Sequence, residues 1–196
     1  MVYLKLIIGC MFSSKSSTLL SEINRYKHIT DKILVINSIL DKERRSNDEG
    51  CIETHDHKQY PAIMVKNLNE IKINTLYNNK YEYAEIIVID EAQFYDDLYE
   101  FMRTELFSTT NKKLFLVAGL SGDYNMEPIG DILKLIPMAD DIKKLDAYCI
   151  YCKDGTIASF TSKLIKNDNK QIEVGKDDIY SPCCRDHYLS FYKNLT

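Results

Sequence analysis

The stretch Leu6-Ile7-Ile8-Gly9-Cys10-Met11-Phe12-Ser13-Ser14-Lys15-Ser16-Ser17 sets the reading of the whole chain. A short apolar run enters a glycine, and five residues later come Ser14, Lys15 and two more serines. This is the spacing of the phosphate-binding pattern G-x-x-x-x-G-K-[ST], with Ser14 in place of its second glycine. Such a loop works because consecutive backbone N–H groups and a lysine ammonium surround the β- and γ-phosphates of a nucleoside triphosphate at a helix N-terminus. Residues 2–8 read as a buried strand, and residues 16–26 carry helical spacing with Leu19, Leu20 and Ile23 on one face. Strand, loop, helix is the context the pattern requires. Ser14 adds a condition: at positive φ its Cβ costs on the order of 1 kcal/mol, whereas at negative φ serine fits and its hydroxyl is available to a phosphate.

Working outward, residues 32–36 form a second apolar strand, residues 41–57 a polar excursion, and residues 61–65 a third strand. Ile86-Ile87-Val88-Ile89, preceded by Glu85 and ending in Asp90, is an uninterrupted β-branched run, as expected of a central parallel strand buried on both faces. A helix over 96–107, a buried strand over 114–118 and an amphipathic helix over 130–138 follow. Strands alternating with helices predict an α/β fold, an open, mostly parallel sheet of the P-loop (RecA-like) kind with helices on both faces. Near Leu145 the character changes to cysteine pairs, a β-type run over 156–164, a turn at 167–169 and a short strand over 172–174. We therefore divide the chain into a nucleotide-binding domain, 1–142, and a small C-terminal domain, 143–196. Asn78-Asn79 and residues 166–170 read as polar loops.

At 196 residues and 45% hydrophobic content the chain suits one well-cored domain with an appendage. A net charge of −4 argues against a protein that holds duplex nucleic acid by neutralising phosphates. A small anionic ligand in a local nest remains compatible with it. No run approaches the ~20 apolar residues that span a bilayer, and no signal-like start is seen, so a soluble cytoplasmic protein without a membrane partner is expected. Four of the six cysteines, Cys149, Cys152, Cys183 and Cys184, crowd the last quarter in close pairs, which in a reducing compartment points to metal before disulfide.

Three constellations carry chemistry. The loop is the first. Asp90-Glu91, at the carboxyl end of a buried strand, is the second: P-loop folds place there the acid that orients Mg²⁺. Adjacent carboxylates repel, so one is expected to bind metal while the other points elsewhere as a base. The third is Cys149-x-x-Cys152 with Cys184-x-x-His187, two knuckles able to close a tetrahedral Zn²⁺ site. Cys183 competes in register; Cys184 is preferred because its gap to His187 repeats the two-residue spacing. Four protein ligands leave no position for water, so this metal would be structural. His55 reads as a solvated loop histidine. Phe94, Tyr124 and Tyr180 are aromatics placed to sandwich a flat base.

Together these elements resemble the type II thymidine kinases, the tetrameric family of animals, bacteria and large DNA viruses. Gly9 to Ser17 follows that family's loop except at Cys10, where it has proline, and at Ser14. Asp90-Glu91-Ala92-Gln93-Phe94 matches its D-E-[AG]-Q-F, and Ile172 to His187 carries its C-terminal pattern through Tyr180 and Pro182-Cys183-Cys184-Arg185. The resemblance implies transfer of the ATP γ-phosphoryl group to the 5′-hydroxyl of thymidine. It implies Glu91 as base, and Gly9, Cys10, Met11, Phe12, Ser13, Ser14, Lys15, Ser16, Ser17, Asp90 and Gln93 around ATP and Mg²⁺. Base recognition falls by the same resemblance to Met11, Phe94, Leu120, Tyr124, Ile129 and Tyr180, with Gln171, Ile172, Glu173, Val174 and Gly175 in a lasso over the substrate. Tyr124 and Ile129 replace phenylalanines, which widens the expected range of pyrimidine deoxynucleosides toward deoxyuridine. The family arginine corresponds to Arg44 or Arg45. A homotetramer is implied as well. A rival from another class is a P-loop ATPase whose zinc ribbon binds single-stranded nucleic acid; the acidic charge and the lack of a second motor domain speak against it.

Overall fold

The computed structural model describes residues 1–42, 50–54, 57–110, 112–163 and 179–193. In the first half lie β1 (Tyr3–Gly9), α1 (Lys15–Tyr26), β2 (Ile33–Ser38), α2 (Ile39–Lys42), β3 (Cys51–Glu53), β4 (Gln59–Pro61) and β5 (Ile63–Val65). They are followed by α3 (Glu70–Ile73), α4 (Thr75–Tyr83), β6 (Ile86–Ile89), α5 (Leu98–Leu106), β7 (Leu114–Leu120) and β8 (Asp141–Leu145). The C-terminal part holds β9 (Ala147–Tyr148), β10 (Ile157–Ala158), β11 (Phe160–Lys163), β12 (Tyr180–Cys183) and α6 (Arg185–Lys193).

Six strands form one sheet in the order β5-β2-β6-β7-β1-β8, and every neighbouring pair in it is parallel. The period-2 pleat explains the layers. Ile87 and Ile89 of β6 join a core with Phe101 and Met102 of α5 and Leu135, while Ile86 and Val88 face the other way, onto Leu19, Leu20 and Ile23 of α1. Each fully buried Leu or Ile contributes about 1.5–3 kcal/mol over its exposed state, so a sheet buried on both faces supplies most of the domain's stability. The expected open α/β sheet with helices on both faces is what forms. No helix among the described residues is long and apolar enough to cross a membrane.

Four details differ from the sequence reading. β8 pairs with β1 from Lys5↔Asp141 to Gly9↔Leu145, so the boundary drawn between 142 and 143 falls inside a strand of the main sheet. The Asp-Ile-Lys-Lys-Leu run gives no buried-strand signal because it lies at the sheet edge, its middle three residues exposed. Charged side chains there discourage edge-to-edge pairing. The helix expected over 130–138 is a 3₁₀ helix, Ile132–Met138: Pro137 has no N–H to continue an α-ladder, and Ile132 and Leu135, three apart, both point into the core. Asn78-Asn79 lies within α4, not in a loop. Finally, the polar excursion contains β3, which pairs antiparallel with β4. The turn at 167–169 and the strand at 172–174 lie outside the described residues.

Candidate functional site

The site lies along the carboxyl edge of the sheet, where the 9–17 loop leaves β1 and Asp90 follows β6, with β7 between them. Gly9 admits no side chain: a Cβ there would run into Ser13 Oγ and come within 2.5 Å of the Leu145 carbonyl of β8. Beyond it the backbone enters the left-handed region at Phe12 (φ 64°) and again at Ser14 (φ 61°). Turns of this kind gather N–H groups into an anion-accepting concavity. Ser13 Oγ and Lys15 Nζ both donate to the Cys10 carbonyl, at 2.8 and 2.7 Å, so the lysine arches over the loop. Lys15, Ser16 and Ser17 form the first turn of α1, which begins without an acidic residue and carries the positive end of the helix dipole.

A hydrogen bond from Ser16 Oγ to Asp90 Oδ2 at 2.9 Å joins the two halves of the site. Asp90 is buried, and its other oxygen accepts the Glu91 amide at 3.0 Å. Burial first, then the neighbouring Glu91 charge, raises its pKa above the ordinary carboxylate range, against the pull of the Ser16 bond. A buried carboxylate in that condition gains from a cation, so Asp90 and Ser16 suit a divalent metal. Glu91 itself takes a left-handed backbone (φ 49°), which turns the chain from the strand into the 3₁₀ helix Ala92–Phe94. Its Oε2 accepts from Gln93 Nε2 at 2.6 Å, and Gln93 Oε1 accepts the Leu120 N–H at 3.0 Å.

On the side expected to hold a base, Leu120 ends β7, and Tyr124 and Ile129 sit on the loop that follows. Tyr124 lies beside Tyr180, ring centroids 6.3 Å apart at 37°, and the Lys163 ammonium is 5.1 Å above the Tyr124 ring. Ile129 and Tyr180 are buried; Met11, Phe94, Leu120 and Tyr124 are half-buried. Gln171 to Gly175, Arg44, Arg45 and His55 lie outside the described residues.

The C-terminal module meets the loop directly. Thr161 Oγ1 accepts the Met11 N–H at 3.1 Å, Cys10 Sγ donates to the Ala158 carbonyl at 3.3 Å, and Tyr188 Oη donates to the Tyr124 carbonyl at 2.9 Å. The sequence reading missed Thr161 and Ala158. A threonine inside a β-type run carries no local signal for a partner 150 residues away.

Cys149, Cys152, Cys184 and His187 bring their donor atoms within 4.8 Å of one another, a spacing that one metal ion can bridge. Cys184 takes this place, and Cys183 stands apart in β12, its thiol pushed up to about 11 by burial. None of the six cysteines is joined in a disulfide. Desolvation opposes ionisation of Cys149, but backbone hydrogen bonds from Cys184, Cys152 and Tyr151 outweigh it and bring it down to about 6. Desolvation and its cysteine neighbours push Cys152 up to about 11. One thiolate thus makes the next harder to form, a conflict that a cation would relieve. Tyr151 stacks on the His187 ring at 5.4 Å and 27°, holding its plane.

The comparisons with known proteins agree with this arrangement. The profile of the family described as thymidine kinase matches residues 2–188. The thymidine kinase of Amsacta moorei entomopoxvirus is 40% identical over 197 residues, covering 96% of this chain and 99% of its own. That of Yaba monkey tumor virus is 37% identical over 191 residues, covering 95% and 94%. Thymidine kinase a of Arabidopsis thaliana is 37% identical over 185 residues, covering 94% of this chain and 74% of its own. With a match that runs from the first strand through both halves of the site to the last helix, the chain belongs to the thymidine kinase family.

Proposed function

We propose that this protein transfers the γ-phosphoryl group of ATP to the 5′-hydroxyl of thymidine, giving thymidine monophosphate and ADP. The observation that carries the reading is the Ser16–Asp90 hydrogen bond at 2.9 Å, which joins the 9–17 loop to the carboxylate pair across the sheet edge. The loop amides and Lys15 hold the phosphates, and Ser16 with Asp90 would hold Mg²⁺. When bound, that ion neutralises charge on the transferring phosphoryl group. Glu91, one residue beyond Asp90, accepts the proton of the 5′-hydroxyl. An ordinary alcohol is too weak an acid to ionise first at neutral pH, so the proton leaves as the new P–O bond forms. Catalysis of this type is mostly positioning and charge stabilisation.

Met11, Phe94, Leu120, Tyr124, Ile129 and Tyr180 are proposed to enclose the base, with residues 171–175 over it. The cysteine and histidine cluster is proposed to hold structural Zn²⁺. Bond lengths of about 2.3 Å to sulfur and about 2.0–2.1 Å to nitrogen put tetrahedral vertices about 3.8 Å (S–S) and about 3.6 Å (S–N) apart. Cys152 Sγ to Cys184 Sγ is 3.8 Å, and His187 Nδ1 lies 3.7, 3.4 and 3.3 Å from Cys149, Cys152 and Cys184, which supports that ion. A homotetramer in the cytoplasm completes the proposal on the family resemblance.

The deciding assay incubates the protein with γ-labelled ATP, Mg²⁺ and a panel of nucleosides. Label is expected in thymidine and more weakly in deoxyuridine, and Glu91→Ala is expected to slow its transfer by about 100- to 10,000-fold while leaving a measurable residual rate. A panel in which no nucleoside acquires label overturns the proposal.

A further inference from the structure

We propose that Gln93 is a positioning residue that aims the Glu91 carboxylate, rather than a ligand of ATP or its metal; this rests on Glu91 being the proton acceptor. The orientation of the Gln93 amide is forced. The Leu120 N–H can only donate, so the amide atom 3.0 Å from it must be the oxygen. That choice turns the NH₂ end toward Glu91, where it donates to Oε2 at 2.6 Å, a short, charge-assisted contact. Leu120 is the last residue of β7, which lies between the strands leading to the loop and to Asp90. The Glu91 carboxylate is therefore referenced to the sheet itself and not only to its own turn.

The surroundings are built around this side chain. Gln93 is 2% exposed. A Cβ at Gly119 would fall onto Gln93 Oε1 and lie 2.6 Å from Ile132 Cδ1, and a Cβ at Gly130, held at φ 56°, would fall onto the Gln93 backbone carbonyl. Gly119 thus leaves room for the glutamine side chain, and Gly130 for the main chain that carries it. The main chain of Glu91 is held as well: its N–H donates to Asp90 Oδ1 at 3.0 Å and its carbonyl accepts from Phe94 N–H at 3.0 Å. With backbone and one carboxylate oxygen both fixed, the acceptor meets a substrate hydroxyl without first losing rotamer freedom.

Gln93→Met keeps the length and packing of the side chain and removes both hydrogen bonds. It is expected to lower kcat about 100-fold, the scale of a misplacement of ~1 Å, while KM for ATP and for thymidine and the directly measured ATP affinity stay within about twofold. In a Glu91→Ala background the same substitution is expected to cost no further rate, because its effect runs through the missing carboxylate. Gly119→Ala presses on Gln93 Oε1 without altering Gln93 and is expected to reproduce the kcat-selective loss, a second route should the methionine variant fold poorly. A rise in ATP KM and dissociation constant with kcat unchanged makes Gln93 a nucleotide ligand and overturns the proposal. An equal rate loss in the Glu91→Ala background makes its role general and also overturns it. If Glu91→Ala itself retains full kcat, the base assignment fails and this inference with it, a result distinct from failure of Gln93→Met alone.

Discussion

Ser14 sits at φ 61° and ψ 33° and makes no side-chain hydrogen bond to the helix it precedes. Of the two alternatives open in the sequence, the structure takes the costly one, and the side chain returns nothing as a cap. Ser14→Gly is therefore expected to raise stability by about 1 kcal/mol in urea melts, with ATP bound at least as tightly in titrations. A loss of stability would mean that the hydroxyl has a contact worth more than the strain. Asp90 makes a prediction about pH. Its folded-state pKa is raised, first by burial and then by Glu91, so the folded chain holds that proton in a pH range where the unfolded chain has lost it. The ionised carboxylate then costs stability increasingly as pH rises through that window. Asp90→Asn, which carries no charge, should gain on the wild type by on the order of 1–3 kcal/mol between pH 4 and pH 8. Denaturant melts across that range check it, and a pH-independent difference would refute it. The same variant should lose Mg²⁺-dependent ATP binding.

Among the elements, α4 shows how a helix with little local signal is made. It buries a single residue, Tyr81, and its Asn78-Asn79 pair reads as loop. Asn74 caps its start, the side chain accepting the Leu76 N–H at 3.0 Å. Its end is closed from outside: Lys113, just before β7, donates to the carbonyls of Tyr81, Glu82 and Ala84 at 2.8, 3.1 and 2.5 Å. A cation at a helix C-terminus satisfies orphan carbonyls and complements the dipole. Lys113→Met should cost about 2–3 kcal/mol, read in denaturant melts, with the amides near the end of α4 losing hydrogen-exchange protection first. The periodicity of residues 75–83 could not announce this helix, because half of what ends it comes from a lysine some thirty residues later.

At the scale of the molecule, the described residues of the C-terminal module bury little apolar material of their own. Among them the core is Cys149, Ala158, Cys183, Cys184 and Tyr188, three of them cysteines. Metal binding then supplies stability that packing does not. Elemental analysis is expected to find about one zinc per chain, and Cys152→Ser or removal by a strong chelator should destabilise the module by at least about 4 kcal/mol. Full retention of the melting temperature after metal removal would disprove this. Because Met11 bonds Thr161 and Cys10 bonds Ala158, the loosened module should also weaken ATP binding at the 9–17 loop.

What the sequence determined by itself is what short-range spacing can carry: the β1-loop-α1 unit, the acid-ended β6, the alternation that builds a parallel sheet, and the two knuckles of the metal cluster. These signals are local, because pleat, helical period and ligand spacing act over a few residues. Tertiary structure decided the rest. It set the φ of Ser14, which depends on how the loop closes over β1, and it brought Ser16 to Asp90 through a strand order in which β7 lies between β6 and β1. It recruited the edge strand β8 and closed the end of α4 with Lys113, the residue before β7. It turned the Gln93 amide by a single N–H at Leu120, twenty-seven residues on, a hydrogen bond that no pattern in the Asp90-Glu91-Ala92-Gln93 run contains. The physical reason is the same in each case: the free energy of these groups depends on partners that only the packed sheet brings within 3 Å.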